Sequence, residues 1–243
     1  MFCMTTTPQY KRILLKLTGE LFGNSETHKG LDFSAVQKVA AYVVELQKKS
    51  KIEIAIVVGA GNLFRGRETA GTSVDKAAAD YIGMLGTVMN ALALQEEIER
   101  AGGVTRVMSE VDVQSVCEPF VRRKAIRHLQ KGRIVILAGG TGSPFFTTDS
   151  AAALKAAELS CNVLLKGSNV DGVYTSDPKK NKDAKLYKKL SYQAALEQGL
   201  TVMDNTAFAL CQREQIPVIV FNLNLLDNIE KIVYGETIGT LVE

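Results

Sequence analysis

Residues 52–61 read IEIAIVVGAG, a run of apolar and mostly β-branched side chains that ends at a pair of glycines. A continuous run of this kind predicts a strand buried on both faces, as in the parallel sheets of α/β proteins. Similar runs lie at 12–17 (RILLKL), 133–138 (RIVILA) and 162–166 (NVLLK). Because helix-like segments separate them, right-handed βαβ units and a mainly parallel open sheet are expected.

The segments between these runs carry helical patterns. Apolar residues at helical spacing predict a helix over 34–49, begun by a capping box of Ser34 and Gln37. A long helix is expected over 75–100, and its middle, 81–94, is apolar nearly all round. Such a helix is either central in the core or covered by another subunit. With no internal repeat or break in composition, the chain is expected to form a single αβα sandwich domain, of α/β class, over 1–243.

Composition and charge exclude several classes of protein. The 243 residues carry 29 Lys and Arg against 26 Asp and Glu, and a net charge of +3 is too small to indicate nucleic-acid binding. The 46% hydrophobic and 23% charged residues are typical of globular proteins. The longest charge-free runs, 81–95 and 134–148, have 15 residues each, below the ~20 that a membrane span requires. Since the N-terminus lacks an apolar stretch, a cytoplasmic location is expected.

Cysteine and histidine usage argues against a metal centre. The four cysteines form no C-x-x-C pair and lie far apart, at 3, 117, 161 and 211, so reduced thiols are expected. His28 and His128 are the only histidines, which excludes a multi-histidine site. No protein metal ligands are predicted.

Lysine, arginine and glycine concentrate where the predicted strands end. Lys16 and Gly19 lie at the end of the first strand, and GAGNLFRG (59–66) follows the second. GGTGSPFFTTD (139–149) and Lys166 close two more. Open parallel sheets bind ligands at the carboxyl ends of their strands, where glycine exposes N–H groups to anions and Arg and Lys match phosphate oxygens. Each feature alone also fits a tight turn or a solvated charge, but together they predict a site for several phosphate groups.

The familiar nucleotide motifs are missing from the sequence. There is no G-x-x-x-x-G-K-[ST], no third glycine for a G-x-G-x-x-G after Gly59 or Gly140, and no H-R-D or D-F-G. No obvious general base accompanies the cations. A base helps phosphoryl transfer onto an alcohol, whereas the oxygen of an existing phosphate is already ionised. The pattern therefore favours transfer between phosphates by positioning and charge stabilisation.

Six blocks, in order from Tyr10 to the C-terminus, resemble the bacterial uridylate (UMP) kinases of the amino-acid kinase superfamily. They are KRILLKLTGE (11–20), GAGNLFRG (59–66), GMLGTVMNALA (83–93), TGSPFFTTDSAA (141–152), VDGVYTSDP (170–178) and VMD (202–204). The resemblance implies ATP-dependent phosphorylation of UMP to UDP in pyrimidine nucleotide biosynthesis. It also implies an acceptor half at about 1–160 and an ATP-binding half at about 161–243 of the single domain.

The resemblance also assigns roles to residues. The implied catalytic residues are Lys16, Lys166, Arg65 and Asp149, with the two lysines stabilising charge on the transferring group. The implied ATP contacts are Lys16, Leu17, Thr18, Gly19, Gly61, Arg65, Ser168, Tyr174 and Asp177. The implied UMP contacts are Ala60, Arg65, Asp80, Thr141, Gly142, Ser143, Pro144, Phe145, Phe146, Thr147 and Thr148. Asp149 and Asp204 would either orient the lysines or cap helices, and Mg²⁺ would bridge the ATP phosphates without a dedicated protein cage.

Three positions depart from the family pattern. Thr18 replaces a serine and keeps its hydroxyl, and Ala60 replaces the middle glycine of a Gly-Gly-Gly-Asn run. Ser143 replaces the asparagine of a T-G-N-P-F-F block, which changes a side chain expected near the uracil. Family members are homohexamers, commonly inhibited by UTP and often activated by GTP. A homohexamer with these effectors is therefore expected, and the apolar segment 81–94 suits a subunit contact.

Two other functions remain open on the residues alone. A relative that phosphorylates aspartate or glutamate would share the ATP-binding half, and it would lack the acceptor features that Arg65 and the loop 141–148 offer a nucleotide. A regulator that binds UMP or UTP without turnover would not require both Lys16 and Lys166. The basic helix expected at 122–130 is either an effector surface or a solvated face.

Overall fold

A computed structural model describes residues 7–66, 71–178, 180–200 and 203–243. Cys3 and Val202, both named above, lie outside them. The strands of the described residues are β1 (Arg12–Leu17), β2 (Glu53–Val58), β3 (Thr105–Ser109), β4 (Glu118–Pro119), β5 (Ile134–Ala138), β6 (Val163–Ser168), β7 (Lys189–Leu190), β8 (Val218–Asn222) and β9 (Thr240–Val242). They form one sheet in the order β4-β3-β5-β2-β1-β6-β8-β9-β7.

The helices cover both faces of this sheet. They are α1 (Phe33–Ser50), α2 (Lys76–Arg100), α3 (Arg122–Gln130), α4 (Thr148–Glu158), α5 (Tyr192–Glu197), α6 (Asn205–Arg213) and α7 (Asp227–Val233), with a 3₁₀ helix at Gly19–Phe22. Alternate residues of β1 point to opposite faces of the sheet and belong to two different core clusters. On one face, Ile13 and Leu15 pack with α1, α2 and α7. Leu14 packs with α3, α4 and α6. The predicted αβα sandwich with a mainly parallel sheet is therefore confirmed.

The order of the strands brings the predicted loops to one edge. Neighbouring strands run parallel, except that β8 and β9 are antiparallel. The strands β5, β2, β1 and β6 are consecutive in the sheet. Because their carboxyl ends lie on the same side, the loops that follow them meet there.

Two local predictions need correction. Helix α1 begins one residue earlier than predicted, and its N-cap is Asp32, which accepts hydrogen bonds from the Ser34 N–H and the Ala35 N–H. The capping box of Ser34 and Gln37 was wrong, because the helix begins at Phe33 and Ser34 lies inside its first turn rather than at the N-cap. The strand predicted at 162–166 ends later than expected, because Gly167 and Ser168 extend β6 beside β8.

Helix α2 has two apolar faces. In the described residues it is the one helix long and apolar enough to cross a membrane, with a mean hydropathy of 1.3 over an 18-residue window. Half of that window is buried inside the protein, as in the core helix of a globular domain. The outer face carries four apolar residues that are about half exposed: Tyr81 (46%), Ile82 (45%), Leu85 (50%) and Met89 (52%).

Candidate active site

Two lysines lie side by side at the centre of this sheet edge. Lys16 of β1 and Lys166 of β6 are register partners on adjacent parallel strands, so their side chains leave the sheet on the same face. Both contact Asp149 in the first turn of α4, Lys16 Nζ at 3.2 Å from Oδ1 and Lys166 Nζ at 2.6 Å from Oδ2. The three side chains are only 12%, 13% and 16% exposed. Two cations therefore share one carboxylate in a largely buried cluster.

The proximity of these charges shifts two pKa values. Burial alone would raise the pKa of Asp149, but the charges of Lys16 and Lys166 together hold it below its ordinary value. Burial also lowers the pKa of Lys166; Asp149 opposes that effect, and Lys16 adds to it. Asp149 Oδ1 has no hydrogen bond of good geometry, so its contact with Lys16 is an ion pair. With all three groups charged, the cluster is a net cation beside the N-terminus of a helix, which favours an anionic ligand.

Asp149 and Asp204, the two aspartates near the lysines, make different contacts. The N-cap of α4 is Thr147, whose hydroxyl accepts hydrogen bonds from the N–H groups of Asp149 and Ser150. Asp149 is thus left to contact the lysines directly. Asp204 caps α6 by accepting from the Ala207 N–H at 2.8 Å, and it accepts from the Ser150 hydroxyl at 2.9 Å. Asp204 therefore joins α6 to the start of α4, and its charge acts on Lys166 through space.

The glycine loop after β2 is braced by a pair of buried asparagines. A Cβ on Gly19 would lie 2.5 Å from Gly61 N and from Asn62 Oδ1, so only glycine fits there. Asn62 and Asn90 exchange side-chain hydrogen bonds of 2.8 and 3.1 Å. Asn90 also donates to the Gly59 carbonyl at 2.7 Å. No role was predicted for these asparagines from the sequence, although Asn90 stands out there as a polar residue within an apolar helix.

The replacement of glycine by Ala60 fits this loop. Ala60 does not have a positive φ, so its methyl group causes no backbone strain. The methyl group faces Gly86 of α2, where an added Cβ would lie only 2.9 Å away. The small residue on the helix thus makes room for the side chain in the loop.

A cleft of about 970 Å³ opens beside the glycine loop. The predicted UMP contacts that line it are Ala60, Arg65, Asp80, Thr141, Phe145, Phe146, Thr147 and Thr148. Gly142, Ser143 and Pro144 belong to the same loop but do not line the cleft. Lining residues that the sequence analysis did not select include Glu20, Phe64, Lys76, Met84 and Thr87.

Asp80 fastens the loop 141–148 to α2. Its Oδ2 accepts a hydrogen bond from the Phe145 N–H at 2.8 Å and lies 3.4 Å from Lys76 Nζ. Phe145 has a φ of +72°, a conformation that a non-glycine residue adopts only when its surroundings hold it. Phe145 lines the cleft, and the residue is 66% exposed. Lys76 Nζ lies 5.2 Å from the centroid of the Phe145 ring, so the loop presents a partly exposed aromatic surface that an aromatic ligand can reach.

Arg65 is held by two oxygens. Its Nε donates to the Gly61 carbonyl at 2.9 Å, and its Nη2 forms an ion pair with Glu20 Oε1. The Arg65 and Glu20 side chains are 25% and 27% exposed, so both remain accessible from the cleft.

The sequence model of the amino acid kinase family matches residues 11–222 of this chain. The chain belongs to the amino acid kinase family. Its structure is similar to that of the UMP kinase from Bacillus anthracis, with a TM-score of 0.92, 37% identity and 96% of each chain covered. It is also similar to the UMP kinase from Ureaplasma parvum, with a TM-score of 0.88, 34% identity and coverage of 97% of this chain and 99% of that one. The uridylate kinase from Archaeoglobus fulgidus aligns with a TM-score of 0.70 and 28% identity over 95% of this chain and 99% of that one.

In this amino acid kinase the residues expected to contact ATP are spread over the ends of β1 and β6. The Leu17 side chain is fully buried, and its carbonyl accepts a hydrogen bond from the Gly59 N–H at 2.9 Å. Ser168 ends β6 beside β8. Tyr174 pairs with Leu186 in an isolated bridge, and Asp177 lies 3.9 Å from Lys180 Nζ. Neither Tyr174 nor Asp177 lines the cleft.

Proposed function

We propose that this amino acid kinase transfers the γ-phosphoryl group of MgATP to UMP and produces ADP and UDP. The two similar bacterial structures are UMP kinases that align with nearly the whole chain. The observation that carries the proposal is the pairing of Lys16 and Lys166 with the shared Asp149. This cationic cluster adjoins Thr148, which lines the cleft together with Arg65. A second phosphate-binding group next to the lysines is what a phosphate acceptor requires.

The proposed mechanism uses charge and position rather than a base. An ionised oxygen of the UMP phosphate attacks the γ-phosphorus, and the bond to the oxygen shared with the β-phosphate breaks. No proton has to be removed from the acceptor, so no general base is required. Lys16 and Lys166 stabilise the charge on the transferring group, and Asp149 holds both ammonium groups in place. Arg65 binds the acceptor phosphate through its guanidinium fork.

Magnesium enters this reaction as part of the substrate MgATP. Among the described residues, no group of three or more His, Cys, Asp or Glu side chains could hold the ion. Phosphate oxygens and water are therefore assigned as its ligands, as is usual for a cation that keeps part of its hydration shell. When bound, it supplies charge neutralisation at the β- and γ-phosphates.

The cleft is assigned to UMP and the ends of β1 and β6 to ATP. The exposed Phe145 and Phe146 rings offer stacking surfaces to the uracil, and Asp80 is assigned to the ribose hydroxyls. Thr18, Gly19 and Ser168 are assigned to the ATP side, with Tyr174 and Asp177 as adenosine contacts. The acceptor half is proposed at about 1–160 and the ATP-binding half at about 161–243, with the end of β1 and the residues Thr18 and Gly19 reaching ATP from the acceptor half.

The exposed apolar stripe of α2, formed by Tyr81, Ile82, Leu85 and Met89, is proposed as a contact between subunits of a homohexamer. The enzyme is further proposed to act in cytoplasmic pyrimidine nucleotide biosynthesis, with UTP as inhibitor and GTP as activator. Leu85→Asp places a charge in the stripe, and we expect it to lower the mass measured by sedimentation velocity. Val104→Asp is the control, because Val104 lies outside the stripe and is exposed to a similar degree, 52% against 50% for Leu85. An unchanged mass for Leu85→Asp would contradict this contact.

A coupled ADP-release assay with MgATP tests the proposed function. UMP, CMP, dTMP, aspartate and glutamate are compared as acceptors. Turnover with UMP in preference to the others is the expected result. Turnover with an amino acid would keep the roles of the lysines and overturn the acceptor assignment. Binding of UMP or UTP without turnover would instead favour a regulator.

A further inference from the structure

Glu20 places a negative charge among groups that the proposed function assigns to phosphate. It lies in the 3₁₀ helix directly after Gly19 and lines the cleft together with Arg65. Its Oε1 forms an ion pair with Arg65 Nη2, and its Oε2 accepts from Asn169 Nδ2 at 3.1 Å. The carboxylate therefore contacts the acceptor side through one oxygen and the β6 side through the other.

The position of this carboxylate coincides with the approach to Arg65. A Cβ on Gly61 would lie 3.8 Å from Arg65 Nε and 3.9 Å from Glu20 Oε1, so both side chains pack over that glycine. An anion that reaches the glycine loop and the guanidinium together arrives where Glu20 now stands. The mechanism above uses no carboxylate here, and a like charge beside a phosphate dianion weakens its binding.

We propose that Glu20 is the internal counter-anion of Arg65 and that the acceptor phosphate has to displace it. Glu20 then neutralises Arg65 while the cleft is empty. It lowers the affinity for UMP because it competes with the UMP phosphate for the Arg65 guanidinium. The inference rests on the proposed function, because it concerns the phosphate of that acceptor. It makes Glu20 a residue that reduces substrate affinity, rather than one that orients Arg65 for binding.

Glu20→Gln separates these two roles. Glutamine keeps the length and one hydrogen-bonding oxygen, but it removes the charge. We expect the Kd of UMP, measured by titration calorimetry, to fall about five- to tenfold, the size expected for one partly exposed charge interaction. The affinity for uridine, which has no phosphate, should not change.

Glu26→Gln is the matched control. Glu26 is exposed in the turn after Asn24, and the described residues hold no ion pair that involves it. This variant should bind UMP like the parent protein, and thermal unfolding of both variants checks that the fold is retained.

Either of two results would overturn the inference. Weaker UMP binding in Glu20→Gln would mean that Glu20 orients Arg65. An equal increase in the affinities for UMP and uridine would mean that the substitution changes the shape of the cleft and that its effect does not depend on the phosphate. The parent protein tests the proposed function separately: if it neither binds nor phosphorylates UMP, that function fails. In that case the affinity for inorganic phosphate tests the competition for Arg65. That affinity must still be higher in Glu20→Gln than in the parent protein.

Discussion

Asp149→Asn removes the charge that Lys16 and Lys166 share while keeping the size of the side chain. The three side chains are at most 16% exposed, so solvent screens their interaction weakly. Breaking a buried ion pair by removing one partner costs about 3–5 kcal/mol. Because the amide oxygen can still accept one hydrogen bond, we expect the free energy of unfolding to fall by about 2–3 kcal/mol.

The same substitution should slow catalysis and move its pH dependence. A misplaced reactive group costs on the order of 100-fold in rate, which corresponds to about 2.7 kcal/mol in the barrier. Burial already lowers the pKa of Lys166, and Asp149 is the main group that opposes this effect. Without that carboxylate the pKa of Lys166 falls further. The alkaline limb of the kcat profile should therefore move to lower pH.

The effect of Asp149→Asn on stability has a defined pH window. The pKa of Asp149 is lower in the folded protein than in the unfolded chain, so its contribution is fully present above the unfolded value of about 4. That contribution is lost as the pH falls through the folded value. The difference in unfolding free energy between the parent and the variant should thus be constant near neutral pH and shrink below about pH 4.

Three measurements on Asp149→Asn check this reasoning: urea unfolding across pH, kcat with UMP across pH, and UMP binding by calorimetry. Asp32→Asn is the control, because Asp32 caps α1 at a partly exposed position away from the lysines, and asparagine caps helices equally well. Its unfolding free energy should change by less than about 0.5 kcal/mol. A near-normal kcat in Asp149→Asn, with the alkaline limb unmoved, would refute a positioning role for this carboxylate.

Further predictions concern other charged groups. Lys16→Ala should lower kcat by several orders of magnitude while UMP binding survives in calorimetry; near-normal turnover would remove Lys16 from the mechanism. Arg65→Ala should weaken UMP binding and turnover together, and an unchanged KM for UMP would place Arg65 elsewhere. Lys155 is only 1% exposed, and its ammonium group forms ion pairs with both Glu110 and Glu158. Lys155→Met removes this buried charge and leaves the two carboxylates without their shared partner. Urea unfolding should show a loss of about 3 kcal/mol, and equal stability would mean that the ion cluster contributes nothing.

The regular elements of the fold were largely predictable, because buried strands and amphipathic helices leave strong local patterns. The helix expected at 122–130 has those bounds, and the strand at 12–17 is β1. The antiparallel pairing of β9 with β8 was not predicted. Thr240–Val242 is a strand of three residues, too short for a period to show. Its direction depends on pairing with a distant strand rather than on its own sequence.

The candidate site was predictable as a set of residue types but not as a set of contacts. Lys16 and Lys166 were recognisable because each ends an apolar run. Their alignment in register depends on β1 and β6 being neighbours, which no local pattern encodes. Glu20 was quoted within a motif and assigned no role, since only the folded chain brings Arg65 and Asn169 to its two oxygens.

The two carboxylates of the site, Asp149 and Glu20, have opposite effects because Asp149 contacts two cations and Glu20 contacts one. Asp149 is shared by two lysines, so the buried cluster keeps a net positive charge, which the proposed mechanism uses to stabilise the transferring phosphoryl group. Glu20 meets Arg65 one to one at the cleft, so that cation is neutralised until an anion replaces the carboxylate. Loss of the first charge should therefore slow the reaction, whereas loss of the second should strengthen binding. The same chemical change, carboxylate to amide, thus distinguishes a group that positions cations from a group that competes for one.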